Sequence, residues 1–289
     1  MKSYTITTDP GIDDLVALLL LAKLTPGAHH CLVSSFGNAP INVIGRNARE
    51  FISFAAPQWS YYEGASTPLC GKVEHPWPDY FHGPDAVWGV HPKIARGKVK
   101  PISFYPSNDT LISLCPMTEA YNLLKDGKLK EAIIMGGAMT ISGNETLHAE
   151  TNIAFDPDAA ANFFATCNGI DVKLVPLDVT RKVFWSIKMV KNIPETSDQS
   201  VWIKQMLLAW FKNYNHDKEK DFNLHDPLTV YLAFFPEKAI WKKSGIKVIT
   251  EGKMRGKTQF DGNNTPCEIA MELIDPTEIA TNIFRLLFT

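Results

Sequence analysis

Cysteines are few in this chain, and none stands near another in the sequence. There are five, Cys31, Cys70, Cys115, Cys167 and Cys267, an odd number with no CxxC pair. That argues against a disulfide framework and against a zinc site, and favours reduced, mostly buried thiols in a cytoplasmic protein. A strong charge of either sign is also missing: the net charge is -2, which gives no electrostatic reason to expect nucleic acid or an anionic membrane as partner. The most apolar run, 15–21, is too short to span a bilayer and follows acidic residues, so it is expected to be a core helix rather than a signal or membrane segment. There is no GxGxxG after the first strand, no GxxxxGK[ST], no HExxH and no GxSxG. These absences disfavour a dinucleotide fold, a P-loop nucleotidase, a zinc hydrolase and a serine hydrolase in turn. Repeats, low-complexity tracts and an evident linker are absent too, so one domain over 1–289 is expected.

What is present is a 45% hydrophobic, 21% charged chain of 289 residues, ordinary for a soluble globular protein. Its most informative stretch is TTDPGIDD at 7–14. A short apolar strand ends at Asp9, Pro10-Gly11 turns the chain, and Asp13 and Asp14 open an apolar helix through residue 24. Carboxylates so crowded repel one another unless a cation lies among them. One of them is accounted for by a helix cap and its dipole; three exceed that need.

Further along, buried strands are expected at 31–36, 59–62, 110–114, 131–135 and 172–176, and helices at 42–55, 118–124, from 157, across 185–214, at 224–235 and at 277–288. Strand segments are also expected at 246–250 and 256–260, in a C-terminal hairpin or edge. Strand and helix alternate, which predicts an open α/β fold with a mostly parallel central sheet, a Rossmann-like core flanked by helices. The stretch 63–101 is irregular, rich in Gly, Pro, Trp and His, and long enough to suggest function. The polar run 213–223 is expected to be an exposed loop. Polar or glycine-rich residues stand at the exits of successive strands: Asp9 to Asp14, Gly37-Asn38, Leu114-Cys115, Gly136-Gly137 and Asp178. Open sheets bind ligands at that edge. Oxygen donors without a histidine pair suit calcium or magnesium acting on a polar small molecule.

Together TTDPGIDD (7–14), FGN (36–38), FHG (81–83), MGG (135–137), AETNIAFDPDAA (149–160) and HDP (225–227) resemble the inosine–uridine-preferring nucleoside hydrolase family, in order and spacing over nearly the whole chain. The resemblance implies a bound Ca²⁺, hydrolysis of the N-glycosidic bond of ribonucleosides, no membrane or nucleic-acid partner, and a homodimer or homotetramer. It makes Asp9, Asp14, Asp226 and the Leu114 carbonyl the metal ligands, with Asp9 as base. It puts Asn38 near the attacking water and Asp13 on the ribose 2′-hydroxyl. Asn144, Glu150, Asn152 and the Met135 backbone then hold the 3′- and 5′-hydroxyls, and His225 and His82 stand near the base. Trp77, Tyr80, Phe81, Trp88 and Trp210 are aromatic candidates for stacking on that base.

Two departures stand out. Thr7 occupies a place where many members have aspartate; it shares a strand face with Asp9, and its hydroxyl is expected to donate to a carboxylate. The stretch 93–109 shows no helix where the family has one. Two other readings share the pocket: a ribose- or nucleoside-binding homologue without turnover, and a hydrolase of another ribosyl amine.

Overall fold

The computed structural model describes residues 2–93, 99–103, 108–214 and 220–289. The chain runs β1 (Thr5–Thr8), α1 (Ile12–Leu24), β2 (Cys31–Ser34), α2 (Ile41–Ala55), β3 (Ser60–Glu63), α3 (Asp79–His82), β4 (Thr110–Ser113), α4 (Thr118–Lys125) and β5 (Glu131–Met135). It continues with α5 (Thr151–Phe155), α6 (Pro157–Thr166), β6 (Asp171–Val175), α7 (Leu177–Thr180), β7 (Phe184–Trp185), α8 (Ile187–Lys191), α9 (Asp198–Asn213), β8 (Phe222–Asn223) and α10 (His225–Phe234). The C-terminal part is β9 (Ala239–Val248), β10 (Thr258–Asp261), β11 (Cys267–Leu273) and α11 (Pro276–Phe288).

Nine strands form one sheet in the order β10-β9-β11-β6-β5-β4-β1-β2-β3. From β3 across to β11 every neighbouring pair is parallel, and only β9 and β10 add antiparallel pairings at one edge. The expected open, mostly parallel sheet is therefore present. Its order reverses direction between β1 and β4. At such a switch point adjacent loops diverge and leave a crevice at the strand ends. Asp9 leaves β1 and Leu114 leaves β4 at that place.

Helix α1 is apolar nearly all round, and Ile12 through Leu21 are buried. A helix of that kind has to be covered on several sides, and α10 and α11 help cover it. Its acidic first turn is thus held inside the protein rather than at the surface.

Two expectations are corrected. The run 185–214 is not one helix: Ser186 caps the short α8, Pro194 lies in the break, and Ser197 caps α9 through the Ser200 amide. The C-terminal strand signal is larger than read, since β9 starts at Ala239 and β11 was not anticipated. Lysines on the exposed positions of β9 and glutamates on those of β11 masked the period-2 pattern. Residues 94–98 and 104–107, within the stretch 93–109, and 215–219, within the loop 213–223, lie outside the described residues.

Candidate active site

The acidic turn closes on itself before it meets any ligand. Asp14 accepts hydrogen bonds from the Thr8 hydroxyl (2.5 Å), the amides of Gly11 (3.1 Å) and Asp9 (3.3 Å), and the Asn38 side chain (3.0 Å). Asn38 also donates its side-chain amide to the Asp9 carbonyl at 3.1 Å, and its backbone amide to Asp9 Oδ2 at 2.7 Å. The β1 exit and the β2 exit are thereby joined. Glycine is required at two points in this joint: a Cβ on Gly11 would lie 2.7 Å from Asn38 Nδ2, and one on Gly37 would collide with the Asp9 carboxylate.

Asp9 Oδ1 is buried and has no hydrogen-bond partner among the described residues. A bare buried carboxylate oxygen is costly unless something absent from a protein-only structure satisfies it. Close by, carboxylate oxygens of Asp13, Asp14 and Asp226 lie within 4.8 Å of one another. Burial, then the charge of Asp14, lifts Asp13 to about 8. Burial first, then the neighbouring aspartates, pushes Asp9 and Asp226 well above the usual carboxylate range. Asp14 is raised less freely, because burial is opposed by Thr8 and the Gly11 and Asp9 amides. These side chains fit a hard divalent cation: oxygen donors only, crowded, mutually repelling, with one oxygen unsatisfied. The tight trio contains Asp13, with Asp9 beside it, whereas the sequence reading set Asp9 with Asp14 and Asp226.

A cavity of about 490 Å³ opens over this cluster and is lined by Asp9, Asp13, Asn38, His82, Leu114, Met135, Asn144, Glu150, Asn152, His225 and Asp226. Every site residue expected from the sequence except Asp14, which lies beneath, reaches this one space. Glu150 caps α5 and accepts from the amides of Asn152 (2.9 Å), Gly137 (2.9 Å) and Ile153 (3.2 Å). Burial still lifts it to about 7 against those three donors. Asn152 Nδ2 lies 3.3 Å from both the Leu114 and the Met135 carbonyls, tying the ends of β4 and β5 together. Asn144 is fixed through its Oδ1, which accepts from the Thr151 amide at 3.0 Å.

The two histidines are held differently. His82 Nδ1 accepts from the Ile12 amide at 3.3 Å, so the ring is neutral with its hydrogen on Nε2, 4.0 Å from Asp13 Oδ1. Burial, then His225, holds its pKa near 3. His225 Nδ1 pairs with Thr180 Oγ1 at 2.7 Å, and burial followed by the Arg181 charge lowers it to about 4. Both are therefore uncharged at neutral pH.

Thr7 does not serve the aspartates. Its hydroxyl donates to Ser113 Oγ at 2.9 Å, across the β1–β4 pair. Asp178, a strand-exit carboxylate, is spent on structure: it accepts from the Met139 and Thr140 amides, both at 2.8 Å. Of the aromatic candidates, Tyr80 and Phe81 line the main cavity and Trp210 lines a smaller one beside it. Trp77 lies against Phe155, and Trp88 donates to the Phe81 carbonyl. Sequence reasoning missed Arg181, Tyr214, Lys220 and Asn223, which line both cavities. Arg181 was within reach, because it directly follows the strand-exit run 177–180.

The sequence profile of the family described as inosine-uridine preferring nucleoside hydrolase matches residues 4–281. The chain belongs to that family. It is 30% identical to the probable uridine nucleosidase 2 of Oryza sativa subsp. japonica, over 90% of this chain and 82% of that one. It is 28% identical to the non-specific ribonucleoside hydrolase RihC of Salmonella paratyphi A, over 88% and 86%. Among solved structures, a plant nucleoside hydrolase superposes with a TM-score of 0.89 at 24% identity, covering 100% of this chain and 99% of that one. A purine-preferring ribonucleoside hydrolase from Gardnerella vaginalis gives 0.85 at 24% identity, covering 99% of each. The nucleoside hydrolase fold expected from the motifs is thus the one observed.

Proposed function

We propose that this nucleoside hydrolase cleaves ribonucleosides to ribose and free base with Asp9 as general base and Ca²⁺ as its metal. The observation that carries the reading is the polarity of the cavity. Asp9, Asp13, Glu150 and Asp226 line it together, and Arg181, Lys220, Tyr214 and Phe81, which also line it, continue into a smaller adjoining cavity that those carboxylates do not line. Rupture of a ribosyl C–N bond leaves positive charge on the sugar and negative charge on the base. Carboxylates beside the sugar, with N–H and O–H donors toward the base, favour that separation over the neutral ground state.

Asp9 has the features of a base: a proton affinity raised by burial and by Asp14, and one oxygen without a donor among the described residues. Asn38 holds the other oxygen, so the free one takes the proton of the attacking water. Asp13 accepts the ribose 2′-hydroxyl; Asn144, Glu150, Asn152 and the Met135 backbone position the 3′- and 5′-hydroxyls, which brings the anomeric carbon to the water. Asp9, Asp14, Asp226 and the Leu114 carbonyl would hold the metal, and the nearness of Asp13 to Asp14 and Asp226 supports a cation among them. Calcium, when bound, supplies an ordered water and a hold on the ribose diol. His225, being neutral, donates a hydrogen bond to the departing base rather than a spare proton, and His82 stands behind Asp13.

The donors at the base end favour bases that carry carbonyls, such as uracil and hypoxanthine, which agrees with the family description and with the uridine nucleosidase relative. A cytoplasmic homodimer or homotetramer completes the proposal; five cysteines without a disulfide suit that compartment. No helix among the described residues is long and apolar enough to cross a membrane. The test is chromatography of free base and ribose after incubation with uridine, inosine, cytidine, adenosine and 2′-deoxyuridine. Uridine and inosine are expected to turn over fastest, and 2′-deoxyuridine about 100-fold or more slower. Equal rates on uridine and 2′-deoxyuridine overturn the role given to Asp13.

A further inference from the structure

The loop that carries the His82 wall of the cavity is backbone-strained, and it is tied down by a cluster that touches no substrate. Between 83 and 91 the chain contains two non-glycine residues in the left-handed region, Ala86 at φ 64° and Trp88 at φ 50°. Neither asparagine nor glycine, the residues that tolerate this region, stands at either place. Such conformations persist only where surrounding contacts over-determine them. Here the contacts are specific. The Asp85 carboxylate accepts from the amides of Val87 (3.2 Å) and Gly89 (3.0 and 3.1 Å), which curls the backbone around it. His91 then bridges two carboxylates, Nδ1 to Glu50 on α2 at 2.8 Å and Nε2 to Asp85 at 3.0 Å. Asn47, also on α2, donates to the Asp85 carbonyl and to the Pro10 carbonyl, both at 3.0 Å.

From this curl two bonds run directly into the cavity wall. The Trp88 amide donates to the His82 carbonyl at 3.1 Å, and its indole N–H donates to the Phe81 carbonyl at 3.0 Å. His82 in turn receives the Ile12 amide and stands against Asp13. A continuous path therefore leads from His91 to the acidic turn.

We propose that loop 83–91 is a strained arm that positions the His82–Phe81 wall, and that the Glu50–His91–Asp85 bridge is the lock that holds it. His91 is a positioning residue: it reaches the reaction through Trp88 and His82 and touches no substrate. A ring whose two nitrogens each face a carboxylate has to donate from both, so the lock is complete only with His91 charged. Glu50, with Asp85, raises its pKa against burial and against Arg46, the charged neighbour on α2. Asp85 is held below the ordinary range by the Gly89 and Val87 amides and by His91, in spite of burial. The lock is thus present below the ordinary histidine value and is lost as pH rises through the raised one.

The inference rests on the reading of this cavity as the hydrolase site, so its test has two arms. In the first, kcat/KM for uridine is measured from pH 5.5 to 9 for the wild type, His91→Gln, Ala86→Gly and the double variant. His91→Gln is expected to lose roughly tenfold at pH 6. That loss shrinks as pH rises, because the wild type gives up its own imidazolium. Ala86→Gly, which relieves the strain, leaves the wild-type rate within about twofold and restores the His91→Gln enzyme by about threefold or more. A His91→Gln defect of the same size at every pH, or a double variant no better than the single, overturns the proposal. In the second arm, hydrogen exchange at the Trp88 amide is expected to accelerate in His91→Gln and to slow again in the double variant; unchanged exchange overturns the lock even if uridine is not a substrate.

Discussion

Binding of calcium should stabilise this protein much more at pH 8 than at pH 5.5, and the difference follows from the proton content of the acidic turn. Without a cation Asp13 titrates near 8, and Asp9 and Asp226 lie well above the carboxylate range. The folded metal-free state therefore keeps protons that the unfolded chain releases near pH 4. Its stability falls as pH rises through the window between those values. A ligand at 1,000 times its dissociation constant adds about 4 kcal/mol. For 289 residues, an unfolding entropy of about 2 cal/mol/K per residue converts this to a rise in Tm of about 7 °C. At pH 5.5 a cation held by Asp9, Asp14 and Asp226 also has to drive off the proton of Asp13, whose carboxylate lies within 4.8 Å of those of Asp14 and Asp226. That group is then about 2.5 pH units below its pKa, and displacement costs about 3 kcal/mol. The rise in Tm should shrink to about 2 °C. Scanning calorimetry at the two pH values, with calcium or with chelator, measures both shifts. Equal shifts, or a larger one at pH 5.5, would refute the assignment of these carboxylates to a cation.

Three substitutions probe the same frame. Asp9→Ala should lower kcat for uridine about 1,000-fold or more, because it removes the base and one oxygen donor to the metal together; an unchanged kcat removes Asp9 as base. Thr7→Asp breaks the hydroxyl pair with Ser113 and adds a carboxylate to a buried, already repelling cluster. Its metal-free Tm should fall below the wild type and its gain on calcium addition should exceed the wild-type gain; equal gains would show that residue 7 does not sense the site. Arg181 holds the carbonyls of Ser142 (3.0 Å) and Gly143 (2.9 Å), immediately before Asn144. Arg181→Met should raise KM for uridine by about tenfold in the wild type and by less in an Asn144→Ala background, where only its base-side role is left to lose; fully additive losses would place Arg181 outside that grip.

Much of this was legible in the sequence because the decisive signals are local. The strand–turn–helix at 4–24 combines a β run, a Pro-Gly turn and an acidic helix start, and each is set by neighbours in the chain. The strand exits bring their polar residues together because a parallel sheet places all such exits on one edge. The split of 185–214 was hidden by apolar spacing that continues across Pro194. The far β edge was hidden by its charge, since Lys242 and Lys243 of β9 face water. Distant pairings left no local trace at all. Nothing near His91 marks Glu50, 41 positions earlier, as its partner, and the strain at Ala86 and Trp88 exists only in the folded backbone. Thr7 shows the opposite case: the face it shares with Asp9 was readable, but its partner Ser113 comes from another strand.

The most direct test of the central claim is a ribose-release assay in phosphate-free buffer, on enzyme stripped with chelator and then returned to calcium. With uridine or inosine the stripped enzyme should be inactive. Added calcium should restore release of ribose and base in equal amounts. Binding without any ribose, or turnover that survives the chelator undiminished, would contradict a metal-dependent hydrolysis at this site.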